Sequence, residues 1–237
     1  MPRLAAIATH AIAGLVLAGA GYLAVTARHP LPDPYVPGAV PDPSAPETFV
    51  TPVQMAFARE NYGLCRQAIA NAGVAAPARG AVAGQGACGV EEAVRLSRLS
   101  EARLRPLTVP CALALPLLSW EVHDLQPAAR EHLGTSVARV LHYGAYACRG
   151  VRTDAGEGAR LSAHATGEAI DIAGFELSDG RRVTVLDDWA GDGPRARFLR
   201  AAFEGLCGRF AQVLGPDYNA AHANHFHAAI RGWGMCR

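Results

Sequence analysis

Two short segments concentrate side chains able to bind a metal or move a proton. The first, Ser162-Ala163-His164-Ala165-Thr166-Gly167-Glu168-Ala169-Ile170-Asp171, has the pattern S-x-H-x-x-G-x-A-x-D, and the second, His222-Ala223-Asn224-His225-Phe226-His227, reads H-x-x-H-x-H. Four of the nine histidines of the chain lie in these two stretches. A catalytic zinc takes three protein ligands and keeps a fourth position for water, and His164, Asp171 and His227 could supply that set. Asp171 sits in the apolar run Ala169-Ile170-Asp171-Ile172-Ala173, where an ionised carboxylate is expensive to bury without a cation or hydrogen-bond donors. Residues two apart on a strand share a face, so His225 and His227 project together while Phe226 turns into the opposite layer. Gly167 lets the chain turn between His164 and the strand carrying Asp171. His123, His132 and His142, each standing alone, are read as surface or hydrogen-bonded core residues, and Asp187, Asp188 and Asp192 as a solvated turn.

These side chains need elements to hold them. Residues 168–177 and 182–186 read as strands joined by a hairpin at Asp179-Gly180. Residues 136–148 and 225–230 read as two more strands. Helical signals cover residues 53–72, 110–133 and 194–214, with a Gly/Ala-rich loop to Gly86 after the first. The second helix presents Leu113, Leu117, Leu118, Trp120 and Leu125 on one broad face, is bent at Pro116 and Pro127, and stops at Gly134. The third repeats Phe198, Leu199, Ala202, Phe203, Leu206, Phe210 and Val213 at helical spacing. The order predicts an α+β fold: a small antiparallel sheet carrying the metal site, flanked by helices and preceded by an N-terminal membrane segment.

Residues 4–27 run 24 positions without a formal charge, and a bilayer span needs about 20. Residues 1–28 are therefore read as an anchor, with a cleaved signal peptide as the alternative and Val25-Thr26-Ala27 as a passable cleavage site. Arg3 favours a cytoplasmic N-terminus with the body outside. Residues 29–52 hold eight prolines and read as a stiff polyproline linker, keeping the domain at 53–237 several nanometres off a membrane. All six cysteines lie in that domain, without a C-x-x-C, which favours disulfides in an oxidising compartment, the periplasm or cell exterior. Six cysteines allow 15 pairings; the expectation adopted joins Cys65 to Cys88, Cys111 to Cys148 and Cys207 to Cys236. The 22 basic side chains are all Arg, against 21 acidic residues. No Schiff-base lysine, P-loop lysine or Ser-Lys dyad is possible, and a formal charge of +1 gives no strong pull on nucleic acid. A zinc nucleobase deaminase is excluded because H-x-E and P-C-x-x-C are absent.

The two histidine motifs resemble those of the zinc metallopeptidases that include D-alanyl-D-alanine carboxypeptidases, dipeptidases and penicillin-insensitive murein endopeptidases. The chain is more closely similar to the bacterial extensin-like C-terminal domain family. That likeness runs from about Cys65 to Arg237, through Cys88-Gly89, Tyr146-x-Cys148-Arg149, Ser162-x-His164, Ala169-Ile170-Asp171-Ile172-x-Gly174-Phe175, Leu214-Gly215-Pro216 and Cys236-Arg237. The resemblance implies a zinc-dependent peptidase, periplasmic and held at the inner membrane by its N-terminal segment, that acts on peptidoglycan stem peptides or cross-links. Its Zn²⁺ would be held by His164, Asp171 and His227. The carboxypeptidase branch carries a Glu before its last ligand. Here no carboxylate lies near His227 in the sequence, so His222 or His225 must take that role. Neutral imidazole, with an unperturbed pKa of about 6.5, suits proton transfer, which makes His225 the first choice of general base, with His222 assisting or orienting it. Arg149 resembles an Arg that faces substrate or the developing oxyanion, a structural salt bridge being its alternative. Ser162 is expected to orient the loop or a ligand, and Glu168 to face away from Asp171 at the surface. The rival reading is a non-catalytic cell-wall-binding or envelope-tethering module with a structural or vacant metal site.

Overall fold

Two helices, where one was expected, open the folded body: α1 (Thr51–Glu60) and α2 (Tyr62–Asn71). Asn61 separates them. Its backbone is extended and its side chain accepts a hydrogen bond from the Leu64 N–H, so it caps the second helix. These are features of a computed structural model that describes residues 14–19, 21–23, 32–153 and 156–237. Among the described residues no helix is long and apolar enough to cross a membrane; the expected span at 4–27 lies largely outside them.

Three strands follow: β1 (Ala78–Ala83), β2 (Gly89–Arg98) and β3 (Arg103–Pro110), paired antiparallel in that order. The β2–β3 turn is pinned from inside. The fully buried Glu121 carboxylate accepts the backbone N–H groups of Ser100, Glu101 and Ala102, and Gln126 Nε2 also donates to it. Burial raises the pKa of this carboxyl, against the pull of those donors.

Helix α3 (Cys111–Trp120) buries nine of its ten residues, so it is a core helix rather than one with a single apolar face. A π-helical turn (Glu121–Leu125) leads into α4 (Gln126–Leu133). The widened turn accommodates Pro127, which has no N–H to donate. Gly134 ends α4 in the left-handed region, as its sequence position predicted. Then come β4 (Val137–Gly144), β5 (Gly150–Thr153), β6 (Gly156–Leu161), β7 (Ala169–Leu177), β8 (Arg182–Thr184), a short α5 (Val185–Asp188) and α6 (Pro194–Arg209). The chain closes with β9 (Gln212–Leu214), β10 (Phe226–Ala229) and β11 (Met235–Cys236). Asp187 and Asp188, expected in a turn, form α5, which Thr184 caps.

The fold is α+β, but its sheet is neither small nor wholly antiparallel. Nine strands run β1-β2-β3-β4-β7-β10-β9-β11, with β8 also on β7, while β5 and β6 form a separate pair. The β3–β4 and β9–β11 pairs are parallel. Between β3 and β4 lie α3 and α4, a crossover long enough to return the chain in the same direction. One core backs the strands that matter here. Ile170, Ile172 and Phe175 of β7 are fully buried, and Phe175 meets Trp120 of α3 at 6.2 Å and Phe198 of α6 at 5.1 Å between ring centroids. Phe226 of β10 packs edge-on to Phe203 at 5.1 Å and Trp189 at 5.4 Å.

The disulfides are Cys65–Cys111, Cys88–Cys148 and Cys207–Cys236. Only the last matches the expected pairing. Strand β1 carries the chain away between Cys65 and Cys88, and folding returns Cys88 beside the loop that follows β4.

Candidate metal centre

Strand β7 alternates core and site. Ile170 and Ile172 point into the core, so Asp171 between them must face the other side of the sheet. Antiparallel register places His227 of β10 directly opposite Asp171 and Phe226 opposite Ile172. His227 and Asp171 therefore share a face as cross-strand neighbours. On the other flank of β7, Gly144 of β4 stands opposite Asp171, and a Cβ added there would meet nothing within 4 Å. The site is open on that side.

The third group arrives from a short loop. Ser162 accepts a hydrogen bond from the His164 N–H at 3.3 Å and caps a 3-10 turn at Ala163–Thr166, which Gly167 closes at φ +68°. A Cβ on Gly167 would lie 3.0 Å from Val90 Cγ2 and 3.2 Å from Pro110 Cδ, so glycine is needed for both its conformation and its size. The loop is tied to the segment after β4 by Ala147 N–H to His164 O at 2.9 Å and Ser162 N–H to Arg149 O at 3.1 Å. His164, 3% exposed, bonds through Nδ1 to the Ala145 carbonyl at 2.9 Å. A carbonyl only accepts, so Nδ1 carries the proton and the Nε2 lone pair points inward.

Three donor atoms converge. His164 Nε2 lies 3.1 Å from both Asp171 Oδ1 and His227 Nδ1, and His227 Nδ1 lies 2.9 Å from Asp171 Oδ1. Among the described residues these three form the group of His, Cys, Asp or Glu side chains close enough to share one metal ion. Ligands in tetrahedral array about zinc at bond lengths of 2.0–2.1 Å would stand ~3.3 Å apart, so the observed cluster needs only a small outward adjustment. Burial works to raise the pKa of Asp171. Where the His164 and His227 rings are protonated, their N–H groups and charge outweigh it and hold the carboxyl well below the usual range.

The remaining predicted residues surround this centre. His225 Nε2 lies 3.5 Å from Asp171 Oδ1. Its Nδ1 is 2.8 Å from Asn224 Oδ1, an acceptor, so Nδ1 donates and Nε2 stays open. The Tyr143 ring stands edge-on to His225 at 5.8 Å. Burial lowers the pKa of His225 against the pull of Asp171, and the charge of Arg149 lowers it further. His222 packs 5.2 Å from the His225 ring and 6.0 Å from that of His227, and Asn219 Oδ1 accepts from its Nδ1 at 2.6 Å. Burial is the main reason its pKa falls to about 4. Arg149 is half-buried beside this group and donates to the Gly150 carbonyl. Among the described residues no ion pair joins it to a carboxylate.

Sequence reasoning missed the supporting groups: Asn219, Asn224, Tyr143 and the Ala145 carbonyl. Asn224 lies inside the quoted motif and Asn219 three residues before His222, and that adjacency was the available signal. Glu168, expected at the surface, is largely covered. It pairs with Arg231 Nε at 2.6 Å and accepts from the Thr166 hydroxyl at 2.6 Å, bracing the His164 loop against the segment after β10. His142 and His123 have structural roles, bonding to the carbonyls of Arg105 and Pro43.

Fold and site together define a disulfide-stapled α+β domain with, among the described residues, one largely covered cluster of metal-competent side chains where a sheet face meets a short loop. The chain belongs to the family described as Extensin-like protein C-terminus, which it matches over residues 63–237. No curated protein and no solved structure matches it.

Proposed function

We propose that this chain is a zinc-dependent peptidoglycan peptidase that hydrolyses stem-peptide or cross-link amide bonds in the cell envelope, tethered to the inner membrane by residues 1–28. The observation that carries the reading is the convergence of His164 Nε2, Asp171 Oδ1 and His227 Nδ1 at mutual distances of 2.9–3.1 Å. Two neutral imidazole nitrogens and one carboxylate are a donor set that suits zinc, and the proton fixed on His164 Nδ1 leaves the right lone pair for it. A zinc ion held by these three residues would supply the Lewis acidity that activates water and polarises a scissile carbonyl. The likeness of both histidine motifs to the zinc carboxypeptidases and murein endopeptidases supports the same chemistry.

The chain's own groups have definable tasks. Asn224 fixes the His225 tautomer, so the unprotonated Nε2 can accept a proton from attacking water and return it to the leaving amine. His222, held by Asn219 and packed on the His225 ring, orients that base. Arg149 offers a guanidinium that has no carboxylate partner among the described residues to a substrate carboxylate or to negative charge developing on the carbonyl oxygen. Gly144 leaves the flank of Asp171 open for an extended peptide. Three disulfides fit an oxidising periplasmic location.

The test is turnover. Purified full-length chain is incubated with cross-linked sacculi, with and without chelator, and new peptide ends are sought by mass spectrometry. Chelator-sensitive ends, absent with His164→Ala and His227→Ala, are expected. Zinc binding without new ends on any sacculus preparation would favour the tethering module instead.

A further inference from the structure

The proline-rich stretch is a strap. Gln54 Nε2 donates to the carbonyls of Val36 at 2.8 Å and Asp33 at 3.2 Å, Thr48 Oγ1 to that of Pro34 at 2.8 Å, and Asn71 Nδ2 to that of Pro41 at 3.3 Å. Pro41 and Pro43 are buried. Glu47 forms an ion pair with Arg209 of α6 at 2.7 Å, and Arg209 is held in turn by Asp124 and Ser119. From Asp33 onward, then, the chain lies on the body instead of extending away from it.

This changes the distance between domain and membrane. As a free polyproline rod, 24 residues at 3.1 Å each would hold the body about 74 Å away. With the strap docked, only the sequence between Ala27, where the apolar run ends, and Pro32 separates that run from the body. Five residue steps reach at most ~18 Å.

The strap also ends beside an exposed apolar stripe. Phe49 (83% exposed), Val53 and Phe57 (61%) recur four residues apart along the entry to α1 and its outer face, and Tyr35 of the strap lies 6.4 Å from the Phe49 ring. Large apolar side chains at such spacing on a solvent-facing helix mark an interaction surface, and aromatic rings at this level suit the headgroup layer of a bilayer.

We infer that the strap holds the domain against the membrane surface, with Tyr35, Phe49, Val53 and Phe57 seated in the lipid interface. This rests on the anchor assigned to residues 1–28 and deepens that reading. The active face would then work on the layer of wall nearest the membrane. The occupant of the stripe is lipid, chosen because the apolar run ends at most ~18 Å from Pro32, three residues before Tyr35 of the stripe.

The test uses the full chain in nanodiscs of phosphatidylethanolamine and phosphatidylglycerol, with and without brominated acyl chains. Phe49→Trp and Phe57→Trp each add an emitter at the stripe, and Leu186→Trp adds one on α5, exposed elsewhere. The expected result is severalfold quenching of the emission added at positions 49 and 57 by brominated lipid, above the signal of the three native tryptophans, with little at 186. Chain that co-migrates with the discs while the added emission at 49 and 57 stays unquenched would overturn the proposal and leave the anchor standing. Chain that does not co-migrate with the discs would remove the anchor reading and the proposal together.

Discussion

Gly167→Ala probes how the His164 loop is held. Gly167 has φ +68°, a region that costs an L-residue about 1–2 kcal/mol. Its new methyl would lie 3.0 Å from Val90 Cγ2 and 3.2 Å from Pro110 Cδ. Val90 is 1% exposed and cannot swing away, so overpacking adds about 1–3 kcal/mol. The total, roughly 2–5 kcal/mol, corresponds to a fall in thermal midpoint of roughly 4–20 °C for a domain of this size. Gly134→Ala is the matched control: it has the same φ of +68°, yet its added methyl would meet nothing within 4 Å. It should lose only the backbone part, about 1–2 kcal/mol. Because Gly167 N–H donates to the His164 carbonyl at 3.1 Å, the displaced loop should also weaken zinc binding by about tenfold or more. Calorimetry with disulfides intact and a zinc competition assay measure both effects. If the two variants melt together and Gly167→Ala keeps full zinc affinity, the account of this loop is wrong.

Other outcomes follow from the same geometry. Asn224→Ala should lower kcat on sacculi while leaving zinc content unchanged, since it releases the His225 tautomer without touching a donor atom; equal loss of zinc and activity would contradict that division. Phe226→Ala empties the space between Phe203 and Trp189 behind the site and should destabilise the domain by about 3–5 kcal/mol, read as a shifted urea midpoint. Glu47 is held below its ordinary value near 4.5 chiefly by its hydrogen bond to Arg209, against burial. Its stabilising effect is thus present above about pH 4.5 and is lost as pH falls through the lowered folded-state value. Glu47→Gln should therefore melt below wild type at pH 7, with the gap narrowing as pH falls below about 4.5, and a gap that stays constant into acid would sink the ion-pair account of the strap.

Much of the site was legible because strand alternation is a strong local rule. Asp171 between Ile170 and Ile172, and Phe226 between His225 and His227, reveal which side chains face the core. The register that sets His227 opposite Asp171 is a long-range property, and no local spacing encodes it. Strands β1 to β3 were invisible for local reasons. β1 is almost wholly exposed and carries Gly80, β2 contains Glu91 and Glu92, and β3 contains Pro106 at an irregularity in its pairing with β2. Proline composition alone suggested a free rod. The docked strap depends on Gln54, Asn71 and Arg209, residues far along the chain whose roles appear only once the helices are packed. Disulfide pairing failed for the same reason, since β1 separates the two cysteines that sequence proximity would join.

Metal stoichiometry addresses the central claim most directly. Full-length chain purified with zinc and dialysed against metal-free buffer should retain one zinc per molecule by mass spectrometry of the native protein, while His164→Ala, Asp171→Ala and His227→Ala, each with all three disulfides formed, retain none. Wild-type chain that holds no zinc, or variants that hold as much as wild type, would contradict it.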